Sequence, residues 1–332
     1  MKNIAMKMFA STVMLLVTVF SQTSAAAPTS SIDADKIRSF AEEMAQQHKF
    51  DQSELEKLLK NARIHQSILD AISRPAEAKP WHEYRPIFLT KQRINGGVAF
   101  WNDNALSLKQ ASKKYGVPAE IITAIIGVET RYGRHKGRFP VIDSLSTLAF
   151  AYPPRSRFFR SELKHFLLMT REENINPLKQ QGSYAGAMGL PQFISSSFRN
   201  YAVDFDGDGT RDLWNNTADA IGSVANYFKR HGWKQGQPIA HRAIIQGEQY
   251  KKLLTEGLKP KWSVAQLKSH GVKLAQEVPA TLQGKLLELD TGTSQPEYWV
   301  GWHNFYVITR YNHSAHYSMA VYQLAKEIRA QR

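Results

Sequence analysis

The sequence predicts a mainly α protein of the α+β class, and three patterns carry the prediction. Apolar residues recur at three- and four-residue spacing over most of the chain, which puts them on one face of a helix. Residues that start or stop helices bound several of these stripes: Asp51 with Glu54 as a capping box, Gly116 as a C-cap, Pro118 at a first helical position. After Lys234 the texture changes to short apolar runs between Gly, Pro and Lys, the pattern of a small part containing β-structure.

Taken in order, residues 1–27 read as a secretory signal peptide. Lys2 and Lys7 give a basic start, Met8 to Phe20 is almost wholly apolar, and Ala25 and Ala27 fit a small-residue cleavage pattern. That apolar run is short for a bilayer span and no second long one follows, so no transmembrane segment is expected in the mature chain. Residues 28–80 read as an N-terminal helical part. Ile37, Phe40, Ala41 and Met44 form one stripe, Leu55, Leu58, Leu59 and Ala62 a second, Ile64, Ile68, Leu69 and Ile72 a third. Arg74-Pro75 to Lys79-Pro80 then reads as a linker.

Residues 81–233 are mainly helical and hold nearly all the recognisable chemistry, residues 234–296 form the β-containing insertion, and 297–332 return to the main body through a strand and a helix. Leu286 to Leu289 and Phe305 to Thr309 read as strands. Ser314 caps a last amphipathic helix through Tyr317, Val321, Leu324 and Ile328.

Composition narrows the function classes. The chain has no cysteine, which excludes disulfides, thiolate catalysis, Cys-ligated zinc and a lipid anchor on an N-terminal cysteine. The net charge of +14, or +12 without Lys2 and Lys7, suits a polyanion: nucleic acid, an anionic membrane, or a cell wall bearing peptide carboxylates. Export argues against nucleic acid. No H-E-x-x-H or G-x-S-x-G occurs, and the glycine-rich stretch at Gly182, Gly186 and Gly189 matches neither a P-loop nor a dinucleotide fingerprint.

Glu129 is the residue that stands out. The helix from Ile121 to Val128 is apolar on every side and should be fully buried, and it delivers Glu129 at its C-terminal end, before Thr130-Arg131-Tyr132-Gly133-Arg134. Burial and the negative end of the helix dipole both disfavour the charged carboxyl and raise its pKa, as a general acid requires. Arg131 or Arg134 would oppose this by pairing with it, and an ordinary ion pair at a helix end is the competing reading.

The motifs around it resemble a family. Gly127-Val128-Glu129-Thr130-Arg131-Tyr132-Gly133 is followed in order by Tyr152-Pro153-Pro154-Arg155, Gly182-Ser183-Tyr184-Ala185-Gly186-Ala187-Met188-Gly189, Pro191-Gln192-Phe193, Asp219 to Phe228 and Arg310-Tyr311-Asn312. In this order they are similar to the lytic murein transglycosylase B family, glycoside hydrolase family 103, in a soluble form without a lipid anchor. The resemblance runs from about Trp81 to the C-terminus. It implies a lysozyme-like helical core and periplasmic action on the glycan strands of peptidoglycan. It also implies cleavage of the bond from N-acetylmuramic acid to N-acetylglucosamine without water, leaving a 1,6-anhydro end. Glu129 would serve as acid and then as base. A hydrolysing muramidase on the same fold and a non-catalytic wall-binding protein are the alternatives.

The resemblance places Tyr84, Arg155, Ser183, Gln192, Phe193, Tyr227, Tyr311, Asn312 and Tyr317 at the substrate, amides and hydroxyls for sugar polar groups and aromatic faces for sugar C–H surfaces. Family members often carry two adjacent arginines where this chain has Pro154-Arg155, with Arg157 beyond. Asp143, the nearest acid downstream of Glu129, is given no catalytic role and reads as a helix N-cap with Ser144.

Asp204-Phe205-Asp206-Gly207-Asp208-Gly209-Thr210-Arg211-Asp212 opens like an EF-hand, but position twelve is Asn215, which cannot chelate as a bidentate carboxylate. The family closes its loop with a later aspartate, here Asp219. One structural Ca²⁺ held by Asp204, Asp206, Asp208, the Thr210 carbonyl and Asp219 is therefore expected, and no organic cofactor.

Overall fold

The structure is a computed structural model that describes residues 32–73 and 79–332. The expected signal peptide and residues 74–78 of the expected linker lie outside the described residues. The first three helices, α1 (Ala34–His48), α2 (Gln52–Lys60) and α3 (Gln66–Ile72), follow the three sequence stripes. Asp51 caps α2 by accepting the Glu54 amide at 2.8 Å, and Ile37, Phe40, Ala41, Met44, Leu55, Leu59 and Ile68 are all buried. These helices join the same hydrophobic core as the rest of the helical body.

Then come α4 (Trp81–Phe88), α5 (Lys91–Asp103), α6 (Ala105–Tyr115) and α7 (Ala119–Thr130). Gly116 closes α6 in the left-handed conformation, with φ 74°. Pro118 is the N-cap of α7 rather than its first residue, and α7 runs one residue past Glu129. As its all-apolar sequence requires, α7 is buried from Ile121 to Thr130. Truncating a residue such as Ile122 to alanine would leave a cavity costing about 2–5 kcal/mol.

A two-residue strand β1 (Phe139–Pro140) leads into α8 (Val141–Ala151) and α9 (Ser156–Glu172), then β2 (Gln181–Gly182), which pairs with β1. Asp143 is not the N-cap of α8. It lies in the first turn and accepts the Arg63 amide at 3.1 Å, with His65 Nε2 at 3.0 Å. It ties the N-terminal part to α8, a long-range role that local capping patterns do not reveal. Two more helices, α10 (Ser195–Tyr201) and α11 (Thr217–Arg230), complete this region.

The β-structure is a five-stranded antiparallel sheet, in the order β4 (Trp262–Ser263), β6 (Gln283–Leu289), β7 (Glu297–Gly301), β3 (Ala240–Ile245), β5 (Val272–Leu274). Its central strand β7 comes from beyond residue 296. One face, with Leu286 and Val300, closes a small core under α12 (Val264–Ser269). The other face puts Leu287 and Leu289 against the main core, so the sheet is anchored to the helical body through its own pleat.

Phe305 to Thr309, expected as a strand, is instead the end of α13 (His303–Ile308) and its C-cap. A short apolar run does not distinguish strand from helix, and here Phe305, Val307 and Ile308 all enter the main core. The last helix, α14 (Ala315–Gln331), starts as expected, with Ser314 Oγ accepting the Tyr317 amide at 3.2 Å. It packs along α7, α5 and α4. No helix among the described residues is long and apolar enough to cross a membrane.

Candidate active site

α7 and α14 bring the site together. Glu129 is 8 % exposed, so it is nearly dry yet not sealed. Tyr317, from the first turn of α14, donates its hydroxyl to Glu129 Oε1 at 2.6 Å. Burial pushes the Glu129 pKa up to about 8, against the smaller lowering effects of the Tyr317 hydrogen bond and the Arg93 charge. Neither Arg131 nor Arg134 forms an ion pair with it among the described residues, so the ion-pair reading of this glutamate does not hold. At neutral pH the group is a neutral carboxylic acid at the edge of solvent, a state suited to giving up a proton.

The turn after Glu129 holds it in place. Arg131 and Tyr132 are successive non-glycine residues in the left-handed region, φ 50° and 62°, a conformation costing about 1–2 kcal/mol per residue. The Tyr132 ring offsets this by filling a slot in which a Cβ on Gly127 would lie 2.6 Å from it, and one on Gly97 2.6 Å from its hydroxyl. That hydroxyl donates to the Arg93 carbonyl at 2.7 Å. Thr130 Oγ1 donates towards the carbonyls of Ile126 at 3.1 Å and Leu190 at 2.9 Å, and accepts the Gly133 amide at 3.0 Å. The Glu-Thr-Arg-Tyr-Gly string is thus a fixed helix end stapled to the glycine-rich segment.

The candidate substrate residues divide into groups. Tyr311 stacks on Tyr317 at 6.5 Å and 9°, and lies 5.9 Å from Phe193 and 4.8 Å from Tyr227. Tyr311, Tyr317, Phe193 and Tyr227 are therefore one aromatic cluster continuous with Glu129, in which Tyr311 is half-buried and the others buried. Tyr84 is fully buried against Trp81, Phe88 and His316.

Ser183 Oγ accepts the amides of Ala185 and Ala187 at 3.2 and 3.0 Å and so shapes its own loop. Asn312 is buried next to Tyr311. Arg155 lies over the rings of Phe158 and Phe159 in its own segment.

Gln192 is in the left-handed region, φ 51°. Its Nε2 donates to the carbonyls of Gly189 and Lys136 at 2.7 and 3.2 Å, which fixes the amide's orientation. Its Oε1 is buried without a hydrogen-bond partner among the described residues.

Three residues here were not foreseen from the sequence. Arg93 and Tyr132 support the Glu129 helix end. Glu162 on α9 is a second buried carboxyl whose pKa burial raises, and it accepts the Ser196 amide at 2.9 Å at the start of α10. Its amide partners mark it as a cap for that helix.

The acidic loop has the opposite character. Oxygens of Asp204, Asp206 and Asp219 approach within 4.8 Å of one another. Asp219 is fully buried, accepting the amides of Phe205 and Asp212 at 2.7 and 2.8 Å. Burial, and to a smaller extent the charges of Asp206 and Asp204, hold its carboxyl above its usual range. Asp208 stands apart from that trio and accepts the Thr210 amide and hydroxyl at 2.8 and 2.7 Å. All-oxygen donors of this kind fit a hard divalent cation.

A mainly helical enzyme carrying one neutral carboxyl at a solvent edge beside an aromatic cluster is the class that fold and geometry describe. Comparison with known proteins agrees. The family profile described as Transglycosylase SLT domain matches residues 33–326, and the chain belongs to that family.

It is 46 % identical over 299 residues to membrane-bound lytic murein transglycosylase B of Escherichia coli, covering 87 % of this chain and 81 % of that protein. The soluble lytic transglycosylase SltB1 from Pseudomonas aeruginosa superimposes with a TM-score of 0.84 at 52 % identity, over 89 % of this chain and 99 % of that one. The Escherichia coli lytic transglycosylase Slt35, solved in complex with calcium, gives 0.82 at 45 % identity, over 90 % and 93 %. The expected fold and enzyme class are both borne out.

Proposed function

We propose that the chain cleaves the glycan strands of peptidoglycan as a periplasmic lytic transglycosylase, with Glu129 as its single acid/base. The observation that carries the reading is the neutral, nearly dry Glu129 carboxyl held by Tyr317. Glu129 donates its proton to the glycosidic oxygen as the bond to muramic C1 breaks, and the electron pair leaves on that oxygen. The resulting carboxylate then takes the proton of the muramic C6 hydroxyl while that oxygen bonds to C1. A 1,6-anhydro end forms, no water is consumed, and Glu129 is protonated again.

Among the described residues, Tyr317, Arg93 and Tyr311 act on Glu129. The muramic C6 hydroxyl, tethered at high effective concentration, serves as the nucleophile in place of a hydrolase's second carboxylate. Tyr311, Gln192 and Arg155 are the candidate contacts to sugar and peptide carboxylate, with Tyr84, Ser183, Phe193, Tyr227, Asn312 and Tyr317 shaping the surface they share.

Asp204, Asp206 and Asp219 hold one Ca²⁺, with the Thr210 carbonyl and Asp208 completing the shell. The calcium in the Slt35 complex supports this. The ion neutralises the loop and fixes the start of α11, which carries Tyr227.

Mass spectrometry of digested peptidoglycan tests the reaction. Anhydro-muramic ends are expected, whereas reducing muramic ends would assign the hydrolytic reaction instead.

A further inference from the structure

Arg93 is a buried cation, 6 % exposed, without a carboxylate partner within ion-pair distance among the described residues. Such a group is costly to keep in a protein interior unless something uses its charge. Its Nη1 donates to the carbonyls of Gly127 at 2.7 Å and Val128 at 3.3 Å, the two residues before Glu129. Its own carbonyl receives the Tyr132 hydroxyl from the other side of the turn, and its guanidinium lies 5.0 Å from the Phe88 ring centre. Arg93 therefore grips the last turn of α7 both before and after Glu129.

We infer that Arg93 is a positioning residue for the acid/base step, clamping the Glu129 helix end and keeping a buried positive charge at that end when the proton leaves. The inference rests on the reading of Glu129 as the acid/base. When Glu129 gives up its proton, a carboxylate is left in a nearly dry site. A fixed positive charge that needs no reorganisation lowers the cost of that charge.

The groups acting on Glu129 are Tyr317 from α14, Tyr311 from the segment before α14, and Arg93 from α5. Of these, Arg93 is the one cation, and its charge opposes the rise that burial imposes on Glu129. Arg131, on the turn itself, acts on Arg93.

The test separates charge from grip with two variants of the full chain. Arg93→Gln keeps an N–H donor near the carbonyls and removes the charge, and Arg93→Lys keeps the charge and loses the planar fork. With purified peptidoglycan as substrate, activity falls at high pH as the acid deprotonates. In Arg93→Gln this alkaline limb should move upward by roughly half a pH unit or more, with kcat lower. In Arg93→Lys the limb should stay in place while kcat falls about tenfold and KM holds, the loss expected of a misaligned acid.

Near-UV circular dichroism confirms that each variant is folded. Should Arg93→Gln not fold, Arg93→Lys decides through kcat and KM. A folded Arg93→Gln with the wild-type limb and kcat, or an Arg93→Lys with wild-type kcat, would overturn the inference. Glu129→Gln, measured in parallel, distinguishes the two levels: if that variant stays active, the acid/base reading has failed rather than the role of Arg93.

Discussion

Two carboxylate sites in this molecule use the same functional group in opposite ways. At Glu129 one carboxyl is enclosed by apolar helix and aromatic rings, and burial leaves it neutral to about pH 8. In the loop from Asp204 to Asp219 several carboxylates converge, with backbone amides turned towards Asp204, Asp208 and Asp219. Hydrogen bonds from the Thr210 hydroxyl and amide hold Asp208 below its usual pKa. Environment sets the character of each: a lone carboxyl deprived of solvent holds its proton, and carboxylates converging on the buried Asp219 offer an all-oxygen donor set that suits a cation.

The contrast can be broken at its first term. Glu129→Gln removes the transferable proton while keeping size and the oxygen that accepts from Tyr317, so turnover of peptidoglycan should fall by about 10³-fold. A rate assay on the purified variant reads this directly.

Calcium sharpens the second term. Saturation at a hundred times its Kd should stabilise the protein by about 2.7 kcal/mol, seen as a rise in Tm on adding Ca²⁺ and a fall on adding chelator. Asp219→Asn should abolish most of that response. Identical melting curves in calcium and in chelator would show that no ion sits there.

A smaller effect joins stability to the Glu129 environment. Folding raises its pKa from 4.5 to about 8, so between those values the folded chain holds an extra proton and stability falls as pH rises. Glu129→Gln should therefore be more stable than the parent by on the order of 2 kcal/mol at pH 6. The advantage should shrink as pH falls towards 4.5 and vanish below it, where the parent carboxyl is protonated in both states. Melting curves across pH test this. Smallest is Tyr317→Phe, which removes the hydrogen bond that lowers the Glu129 pKa. Its alkaline limb should move upward and kcat drop about tenfold, close to the worth of one hydrogen bond to a charged group.

What the sequence disclosed followed from locality. The burial of α7 was legible because every side of it is apolar, and Glu129 stood out because it ends that run. The acidic loop was legible from its alternating aspartates. Arg93 was not, because nothing in Lys91-Gln92-Arg93-Ile94 distinguishes a buried arginine from a solvated one. Its partners are carbonyls more than thirty residues away.

Asp143 resembled a cap because Asp and Ser favour helix starts, whereas its partners, Arg63 and His65, come from a distant segment. The run from Phe305 to Thr309 was too short for its period to decide between strand and helix. Tyr132 had a visible neighbour in Gly133, but the glycines that make room for its ring, Gly97 and Gly127, meet it only in the fold.

Acid catalysis by Glu129 depends on its carboxyl keeping the proton near neutral pH. Carbon-13 NMR titration of the glutamate side-chain carboxyls, with the Glu129 resonance assigned by its loss in Glu129→Gln, measures this without reference to substrate. The expected midpoint is about 8. A midpoint at the ordinary value of 4.5 would mean that the carboxyl is ionised at neutral pH and would contradict its role as the acid.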